Sequence, residues 1–160
     1  MKEFSNFLTK DECIYLIDFI KNSNNINNVE TNRQLDVYAF DKTNTIPFLN
    51  QKLNSIGIIN SPPFNINKYI VGSFFQKHVD IGGKNDPNSE RMKTLIVNLS
   101  DKKDYVGGDL IIDNNIVSKE IGNAFLFPSN MLHELKVITY GVRYSLVVWL
   151  KNNNFKKSIL

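Results

Sequence analysis

The sequence is poor in the residues that build disulfide frameworks and membrane spans. Its 160 residues include one cysteine, Cys13, which excludes an intramolecular disulfide and is compatible with a reducing compartment. No apolar run approaches the length of a membrane span, and residues 1–6 lack the apolar region of a signal peptide. We therefore expect a soluble, cytoplasmic protein that does not engage a membrane.

The chain also lacks a strong charge of either sign. It carries 19 basic and 16 acidic residues, for a formal net charge of +3, and the basic residues are mostly scattered, with Lys156 and Lys157 adjacent near the end of the sequence. This charge is too weak to indicate a nucleic-acid partner on electrostatic grounds. The 42% hydrophobic content suits one well-packed core, and no linker or repeat interrupts it, so we predict a single domain over 1–160.

Helices are expected in the first part of the chain. Residues 9–12 have the form of a capping box, and apolar residues then recur at helical spacing to about residue 22. A second helix is predicted over 47–56, where proline suits the first turn and Gly57 supplies the stop. We therefore expect a helical N-terminal part over about 1–62.

From residue 63 onward the pattern changes to short β-rich segments punctuated by Gly, Asn, Asp and Pro. The predicted strands are 64–71, 73–78, 94–99, 109–112, 124–127, 134–138 and 143–149. Such spacing is typical of an all-β barrel or sandwich. The prediction is a mainly β fold, a jelly-roll over about 63–150 with the helices packed outside. The Asn-rich stretches 22–28 and 152–154 are expected to be polar loop and tail.

The two histidines of the chain each lie where a metal ligand would be needed. His78 and Asp80 are two residues apart, so on a strand they share a face and can hold one ion. With the distant His133 they form the set of the non-heme Fe(II) facial triad, which leaves other octahedral positions open. A lone histidine is more often a hydrogen-bonded core residue, and Asp80 could cap the turn at 82–83. The joint pattern favours His78, Asp80 and His133 as metal ligands and catalytic residues.

Arg143 follows His133 by ten residues, in the segment Gly141-Val-Arg143-Tyr-Ser145. A guanidinium can hold a carboxylate through two parallel hydrogen bonds, which is what a bound dicarboxylate requires. The alternative is a surface ion pair of little energetic value. We predict the binding role for Arg143.

These motifs, taken in order, resemble the 2-oxoglutarate- and Fe(II)-dependent oxygenases, specifically their prolyl 4-hydroxylase-like branch. The resemblance covers about the last hundred residues. It is carried by Tyr69-Ile-Val-Gly-Ser-Phe-Phe-Gln-Lys-His-Val-Asp80, Thr94-Leu-Ile-Val-Asn-Leu-Ser100, Gly107-Gly-Asp-Leu110, Gly122-Asn-Ala-Phe-Leu-Phe-Pro-Ser129, His133 and Gly141-Val-Arg-Tyr-Ser-Leu146. A histidine and aspartate two residues apart are weak evidence alone, whereas the ordered set is specific.

The resemblance implies a double-stranded β-helix with the metal inside one end. It implies Fe(II) and O2, 2-oxoglutarate as co-substrate and ascorbate as reductant. In the family, the residue matching Arg143 binds the distal carboxylate of 2-oxoglutarate, Ser145 can assist, and the Tyr69 hydroxyl contacts the co-substrate. Asn98, also placed among the cofactor-binding residues, stands where relatives often have tyrosine, and Phe75 where many prolyl hydroxylases do.

The function implied by the resemblance is hydroxylation of a C–H bond, most specifically in a prolyl residue of a peptide or protein, with succinate and CO2 as co-products. A different residue or a free amino acid remains an alternative. A nucleic-acid dealkylase would usually have asparagine after the aspartate and a second arginine, but Ile81 follows Asp80 and no arginine follows Arg143. A non-catalytic jelly-roll module would not need the complete triad. Loop 81–93, beside the predicted metal, is of the kind that often forms lids.

Overall fold

The computed structural model describes residues 1–24, 26–30 and 32–156. In these ranges the chain forms helix α1 over Lys10–Phe19 and helix α2 over Pro47–Ser55. Short 3-10 turns lie at Ile20–Asn22, Thr43–Thr45 and Asn152–Asn154. Neither α1 nor α2, nor any other helix of the described ranges, has the length and apolar character needed to cross a membrane.

Strands make up most of the remaining ordered structure, and they are numbered β1 to β13 along the chain. They are β1 Lys2–Phe4, β2 Ile26–Glu30, β3 Arg33–Phe40, β4 Phe64–Tyr69, β5 Phe74–His78, β6 Lys93–Asn98, β7 Tyr105–Gly107, β8 Leu110–Ile112, β9 Asn115–Ile116, β10 Ala124–Pro128, β11 His133–Leu135, β12 Ile138–Gly141 and β13 Arg143–Leu150. The predicted segment 134–138 is divided between β11 and β12, which lie in different sheets. The other predicted segments each overlap one strand of the structure, with ends that differ by up to two residues.

One large antiparallel sheet forms the body of the molecule. Its strands follow the order β1-β10-β6-β13-β4-β3-β5-β11-β8-β9, with β2 beside β3, while β7 and β12 form a separate pair. Ile96 of β6 and Leu110 of β8 are six places apart in this order, yet both line one pocket. The sheet must therefore curl around that pocket, as the predicted jelly-roll requires.

Helix α1 begins where the capping box was predicted. The Glu12 amide donates to the Thr9 hydroxyl over 3.2 Å, and the Thr9 amide donates to the Glu12 carboxylate over 2.8 Å. These bonds satisfy two amides that the first turn leaves without helical partners. Cys13 and Leu16 then point into the core from one face of the helix.

Both helices cover the outer face of the sheet. Leu49 and Leu53 of α2 are fully buried, in one apolar cluster with Leu16 of α1 and with Leu95 and Val97 of β6. Alternate residues of β6 face the other way, and Ile96 belongs to a second cluster inside the curl. This alternation arises because successive side chains of a strand leave on opposite faces.

The first 62 residues are not purely helical, which corrects the prediction for that part of the chain. Strands β1, β2 and β3 all lie within it, and β3 runs between β4 and β5 in the main sheet. In β3, Leu35 and Val37 are buried inside the curl, while polar residues alternate with them. The apolar signal of β3 is weak because only alternate residues face that core.

Neither Asn-rich stretch is a simple loop or tail. Ile26–Glu30 pairs with β3 as β2, although asparagine is depleted in strands. The turn at 152–154 packs against the body of the protein: Asn154 is buried, and its amide donates to the Ile59 carbonyl over 3.1 Å. Tertiary pairing thus overrides local composition in both places. Lys157, of the basic pair noted above, lies outside the described residues.

Candidate active site

Strand pairing brings the two histidines together. His133 of β11 lies directly opposite His78 of β5, and Asp80 follows β5 by two residues. The three side chains offer ligand atoms that all lie within 4.8 Å of one another. The Asp80 carboxylate spans the two rings, with one oxygen 3.6 Å from the His78 Nε2 and the other 3.6 Å from the His133 Nε2. These residues form what we call the metal end of the pocket.

Each imidazole is oriented by the backbone of its own strand or turn. The Nδ1 atom of His78 lies 2.7 Å from the Gln76 carbonyl oxygen, and the Nδ1 atom of His133 lies 3.0 Å from the Met131 carbonyl oxygen. Since a carbonyl only accepts, both Nδ1 atoms carry the proton and both Nε2 lone pairs face Asp80. Such second contacts fix the tautomer and direction of metal-binding histidines.

The carboxylate of Asp80 is held by residues from two other segments. The Thr94 hydroxyl donates to its Oδ2 over 2.6 Å, and the Ser129 hydroxyl lies 3.1 Å from that of Thr94. Burial raises the pKa of Asp80, but the contacts of its carboxylate with His78, His133 and the Thr94 hydroxyl together lower it below its usual value. The carboxylate is therefore ionised at neutral pH.

The protonation states at the metal end suit a divalent ion. Burial lowers the pKa of His133, and the attraction of Asp80 does not reverse that shift, so the ring is neutral near pH 7. A neutral imidazole and an ionised carboxylate are the forms that bind metals. Two imidazoles with one carboxylate fit Fe(II) with open coordination positions. The donor set of this end is therefore compatible with the implied iron.

The opposite end of the same pocket is polar and more deeply buried. On the paired strands β4 and β13, Tyr69 lies opposite Arg143 and Asn67 lies opposite Ser145. All four side chains line the pocket, and each of these residues is at most 6% exposed. They form what we call the deep end.

Arg143 is a buried cation without an acidic partner in the described part of the chain. Its side chain takes part in none of the salt bridges found there. One guanidinium nitrogen donates to the Asn98 side-chain oxygen over 3.0 Å, and the guanidinium carbon lies 5.5 Å from the centre of the Tyr69 ring. A buried charge is costly unless it is paired, so the deep end is suited to bind an anion.

The Tyr69 hydroxyl is available as a hydrogen-bond donor. Burial raises its pKa, despite the opposing effect of the Arg143 cation, so the phenol keeps its proton. The Asn67 amide already donates to the Tyr69 oxygen over 3.3 Å, which leaves the phenol proton free for another acceptor. Ser145 lies next to this hydroxyl and adds a second short polar side chain.

Apolar side chains line the rest of this pocket. They are Ile96, Leu110, Leu135 and Val147. A ligand with an anionic group at the deep end and a metal-chelating group at the other would suit this arrangement.

Asn98 is the one predicted cofactor-binding residue that does not line the pocket. Its side chain lies behind Arg143, which it contacts through its oxygen, while its nitrogen donates to the carbonyls of Ser118 and Glu120. The other predicted residues, Tyr69, Arg143 and Ser145, all line the pocket together with the triad.

Several residues of the site were not singled out from the sequence. Asn67 lines the deep end, and its side-chain oxygen is buried without a hydrogen-bond partner in the described part of the protein. Thr94 and Ser129 hold the Asp80 carboxylate. Asn67 could have been found from its position two residues before Tyr69, because both then face the same side of a strand. The hydroxyls carry no such signal.

An open groove leads from the metal end to the surface. On one side, the guanidinium of Arg91 lies 3.9 Å from the centre of the Trp149 ring and donates to the Asp80 carbonyl over 3.3 Å. The Phe75 ring stacks on His78 at a centroid distance of 3.7 Å. Residues of the predicted loop 81–93 form part of the groove wall. The rings of Phe75 and Trp149 therefore flank the open side of the metal end.

The loop beside the groove is organised by its own hydrogen bonds. The Asp86 side chain accepts from the Asn88 amide over 2.7 Å, and the Gly82 amide donates to the Asn88 carbonyl over 3.3 Å. The Asp86 amide donates in turn to the Gly83 carbonyl over 2.8 Å. These contacts give the loop a defined shape at the groove; whether it closes as a lid stays a prediction.

Solved structures of similar architecture include prolyl hydroxylases. A Pseudomonas putida prolyl-4-hydroxylase matches with a TM-score of 0.72 at 18% identity, over 94% of this chain and 91% of that one. A Trichoplax adhaerens prolyl hydroxylase, in complex with a hypoxia inducible factor oxygen degradation domain peptide fragment, matches with a TM-score of 0.73 at 19% identity, over 95% and 83%. These likenesses confirm the predicted fold.

Curated relatives share more of the sequence. A PKHD-type hydroxylase from Caulobacter sp. (strain K31) is 35% identical over 102 residues, which cover 59% of this chain and 44% of that protein. A PKHD-type hydroxylase from Pseudoalteromonas atlantica is 29% identical over 153 residues, which cover 82% of this chain and 66% of that protein. The chain thus spans about half to two thirds of the length of these relatives.

The family itself follows from the part of the chain that builds the pocket. Residues 64–151, more than half of the 160, match the family described as the 2OG-Fe(II) oxygenase superfamily. This range holds the triad, Arg143 and Tyr69, and the resemblance seen in the sequence is confirmed. The chain belongs to the 2OG-Fe(II) oxygenase superfamily.

Proposed function

We propose that this protein is an Fe(II)- and 2-oxoglutarate-dependent dioxygenase that hydroxylates a C–H bond. The observation that carries the proposal is one pocket that contains the His78, Asp80 and His133 cluster at one end and, at the other, an arginine with no acidic partner among the described residues. 2-Oxoglutarate has a chelating 2-oxo acid at one end and a carboxylate at the other, so it matches both ends. The names of the relatives, PKHD-type hydroxylases, support the same activity.

His78, Asp80 and His133 would hold the iron. When bound there, Fe(II) supplies the redox chemistry that couples O2 and the oxidative decarboxylation of 2-oxoglutarate to oxygen insertion into a C–H bond, with succinate and CO2 as co-products. Thr94 keeps the carboxylate of Asp80 in place through its 2.6 Å hydrogen bond. The carbonyls of Gln76 and Met131 keep both rings turned toward the metal position.

Arg143, Tyr69 and Ser145 would bind the distal carboxylate of 2-oxoglutarate. The guanidinium supplies charge and directed N–H groups, and the neutral phenol of Tyr69 supplies a donor because burial keeps it protonated. The apolar middle of the pocket, which includes Ile96 and Val147, excludes water from the chain of the co-substrate. Exclusion of water strengthens the ionic contact with Arg143.

For the substrate, we propose a prolyl residue in an extended peptide or protein segment. The groove at the metal end is open and is flanked by the rings of Phe75 and Trp149, which offer apolar faces to a pyrrolidine ring. Proline-containing segments are already extended and lose less entropy when they bind along a groove. One solved structure of similar fold is a prolyl hydroxylase with a peptide bound.

The test measures succinate formation and product mass together. The protein is incubated with Fe(II), ascorbate, 2-oxoglutarate and O2, with proline-rich peptides or with matched peptides in which alanine replaces every proline. We expect succinate release coupled to a mass increase of one oxygen atom with the proline set alone. Equal coupled turnover on both sets would refute the prolyl assignment and retain the oxygenase activity. Absence of succinate under every condition, including a pooled peptide library and free amino acids, would refute the activity.

A further inference from the structure

Asn98 is fixed from three directions at the back of the deep end. Its side-chain nitrogen donates to the Ser118 carbonyl over 2.8 Å and to the Glu120 carbonyl over 3.4 Å. Its own backbone amide donates to the Asn123 carbonyl over 3.0 Å, and its carbonyl accepts from the Gly122 amide over 2.8 Å. The residue is 3% exposed, so these contacts are shielded from water.

These contacts determine which atom of the Asn98 amide faces Arg143. Carbonyls only accept hydrogen bonds and a guanidinium only donates them. The nitrogen must therefore face Ser118 and Glu120, and the oxygen must face Arg143, which donates to it over 3.0 Å. Hydrogen-bonding roles thus determine which end of the amide is the nitrogen and which is the oxygen, a choice that side-chain shape alone does not make.

The neutrality of this acceptor is the important property. An aspartate would have nearly the same shape as Asn98 and could also accept from Arg143, but it would neutralise the guanidinium. A ligand carboxylate would then meet an ion pair rather than a free cation, and it would have to compete with a permanent partner. An amide oxygen holds the guanidinium in place and leaves its full charge for the ligand.

Position 98 also lies in register with the rest of the deep end. Across the adjacent strands, Ser145 of β13 pairs with Asn98 of β6 on one side and with Asn67 of β4 on the other. The Asn98 side chain reaches Arg143 from this row and does not line the pocket. It therefore acts on the ligand through Arg143.

We propose that Asn98 is a positioning and specificity-determining residue: it aims Arg143 into the pocket and, being neutral, reserves that cation for the distal carboxylate of the co-substrate. This inference rests on the proposed function. It assigns to Asn98 a role different from direct co-substrate contact. It also explains why an amide, rather than a carboxylate, is compatible with this position.

The experiment compares Asn98→Asp and Asn98→Leu in the full chain. Asn154→Asp is the matched control, since Asn154 is also a buried amide whose nitrogen donates to a carbonyl and whose oxygen accepts, but it lies outside the pocket.

Binding of 2-oxoglutarate to the Mn(II)-loaded protein is measured by calorimetry and by the fluorescence of Trp149, the sole tryptophan, which lines the pocket. 2-Oxopentanoate, which has a methyl group in place of the distal carboxylate, serves as the probe without a distal charge. Thermal melting reports the folding of each variant.

We expect Asn98→Asp to weaken 2-oxoglutarate binding by about 100-fold or more, because the new charge competes for Arg143. Asn98→Leu removes the acceptor without adding charge and should weaken binding by about tenfold. Binding of 2-oxopentanoate should change little in either variant. Asn98→Asp should therefore lose most of the preference for 2-oxoglutarate over 2-oxopentanoate. Mn(II) affinity, and all binding by Asn154→Asp, should stay close to wild type.

The outcomes separate this inference from the proposed function. If the wild-type protein binds no 2-oxoglutarate, both are refuted. If the wild type binds and folded Asn98→Asp keeps the same preference for the dicarboxylate, the role of Asn98 alone is refuted. Should Asn98→Asp fail to fold, Asn98→Leu decides, and wild-type affinity in that variant overturns the positioning role. Equal losses for both probes would indicate a merely structural role and would also overturn it.

Discussion

At the metal end of the pocket, the imidazoles are oriented by backbone carbonyls two residues away; at the deep end, the charged group is oriented by an amide 45 residues away along the chain. His78 is held by Gln76, and His133 by Met131. Arg143 is held by Asn98, which is held in turn by carbonyls of the segment 118–120. The comparison teaches that short sequence motifs can orient the two histidines, whereas the orientation of the buried cation depends on distant segments. The two ends should therefore be separable by mutation.

The largest effect is expected from His133→Ala, which tests whether the metal end stands alone. Changes in residues that merely support a ligand cost 10- to 100-fold in metal affinity, so loss of a ligand should cost more than about 100-fold. Calorimetry with Fe(II) or Mn(II) measures the loss, and thermal melting checks the fold. Stoichiometric, tight metal binding by the variant would show that His133 is not a ligand.

Arg143→Ala tests the deep end and should produce the opposite pattern. Loss of a charge-assisted pair in a closed pocket should cost about 2 to 4 kcal/mol of 2-oxoglutarate binding, or about 30- to several-hundred-fold. Metal affinity should stay nearly intact, because a guanidinium cannot bind the ion. Arg91→Ala is a control, since Arg91 contacts the groove but not the deep end. An unchanged affinity for 2-oxoglutarate would remove Arg143 from the co-substrate site.

Thr94→Val gives a smaller effect, confined to the metal end. Valine keeps the shape of threonine but cannot donate to Asp80, and the lost support should lower Mn(II) affinity about tenfold. Thr43→Val is the matched control, because Thr43 is equally buried and donates to the Asn50 side chain over 3.3 Å, away from the pocket. The control should change the melting temperature without changing metal affinity. Equal Mn(II) affinity in Thr94→Val would mean that the hydroxyl contact does not support the ligand.

The smallest effect on ligand binding is expected when the protein is treated with a thiol reagent that tests Cys13, which lies behind the deep end. The thiol is fully buried, and burial raises its pKa to about 12. In the native protein it should not react with a disulfide reagent at pH 8, whereas the unfolded chain should react at once. Because the pKa in the folded protein lies above the unfolded value of 9.0, the protonated thiol contributes fully to stability below pH 9.0. This contribution declines as the pH rises toward 12. Rapid labelling of the native protein, with ligand binding unchanged, would contradict this burial.

The helices were predictable because their signals are local. The capping box of α1 and the proline at the start of α2 lie within a few residues of the turns they stabilise. Several strands were missed for the opposite reason. Strand β3 alternates polar residues with buried apolar ones, and β2 is rich in asparagine, so their pairing depends on partners elsewhere in the sheet. The division of 134–138 between two sheets is likewise a matter of tertiary contacts.

The sequence alone determined the identity and order of the groups that chemistry requires: His78, Asp80, His133 and Arg143, with the spacing of strands between them. It did so because ligand type and strand period are properties of the chain itself. The tertiary structure decided that these groups face one pocket from opposite ends, that Thr94 fixes the carboxylate, and that a neutral amide stands behind the cation. Those features depend on the curl and register of the sheet, which form from pairings between residues far apart in the chain.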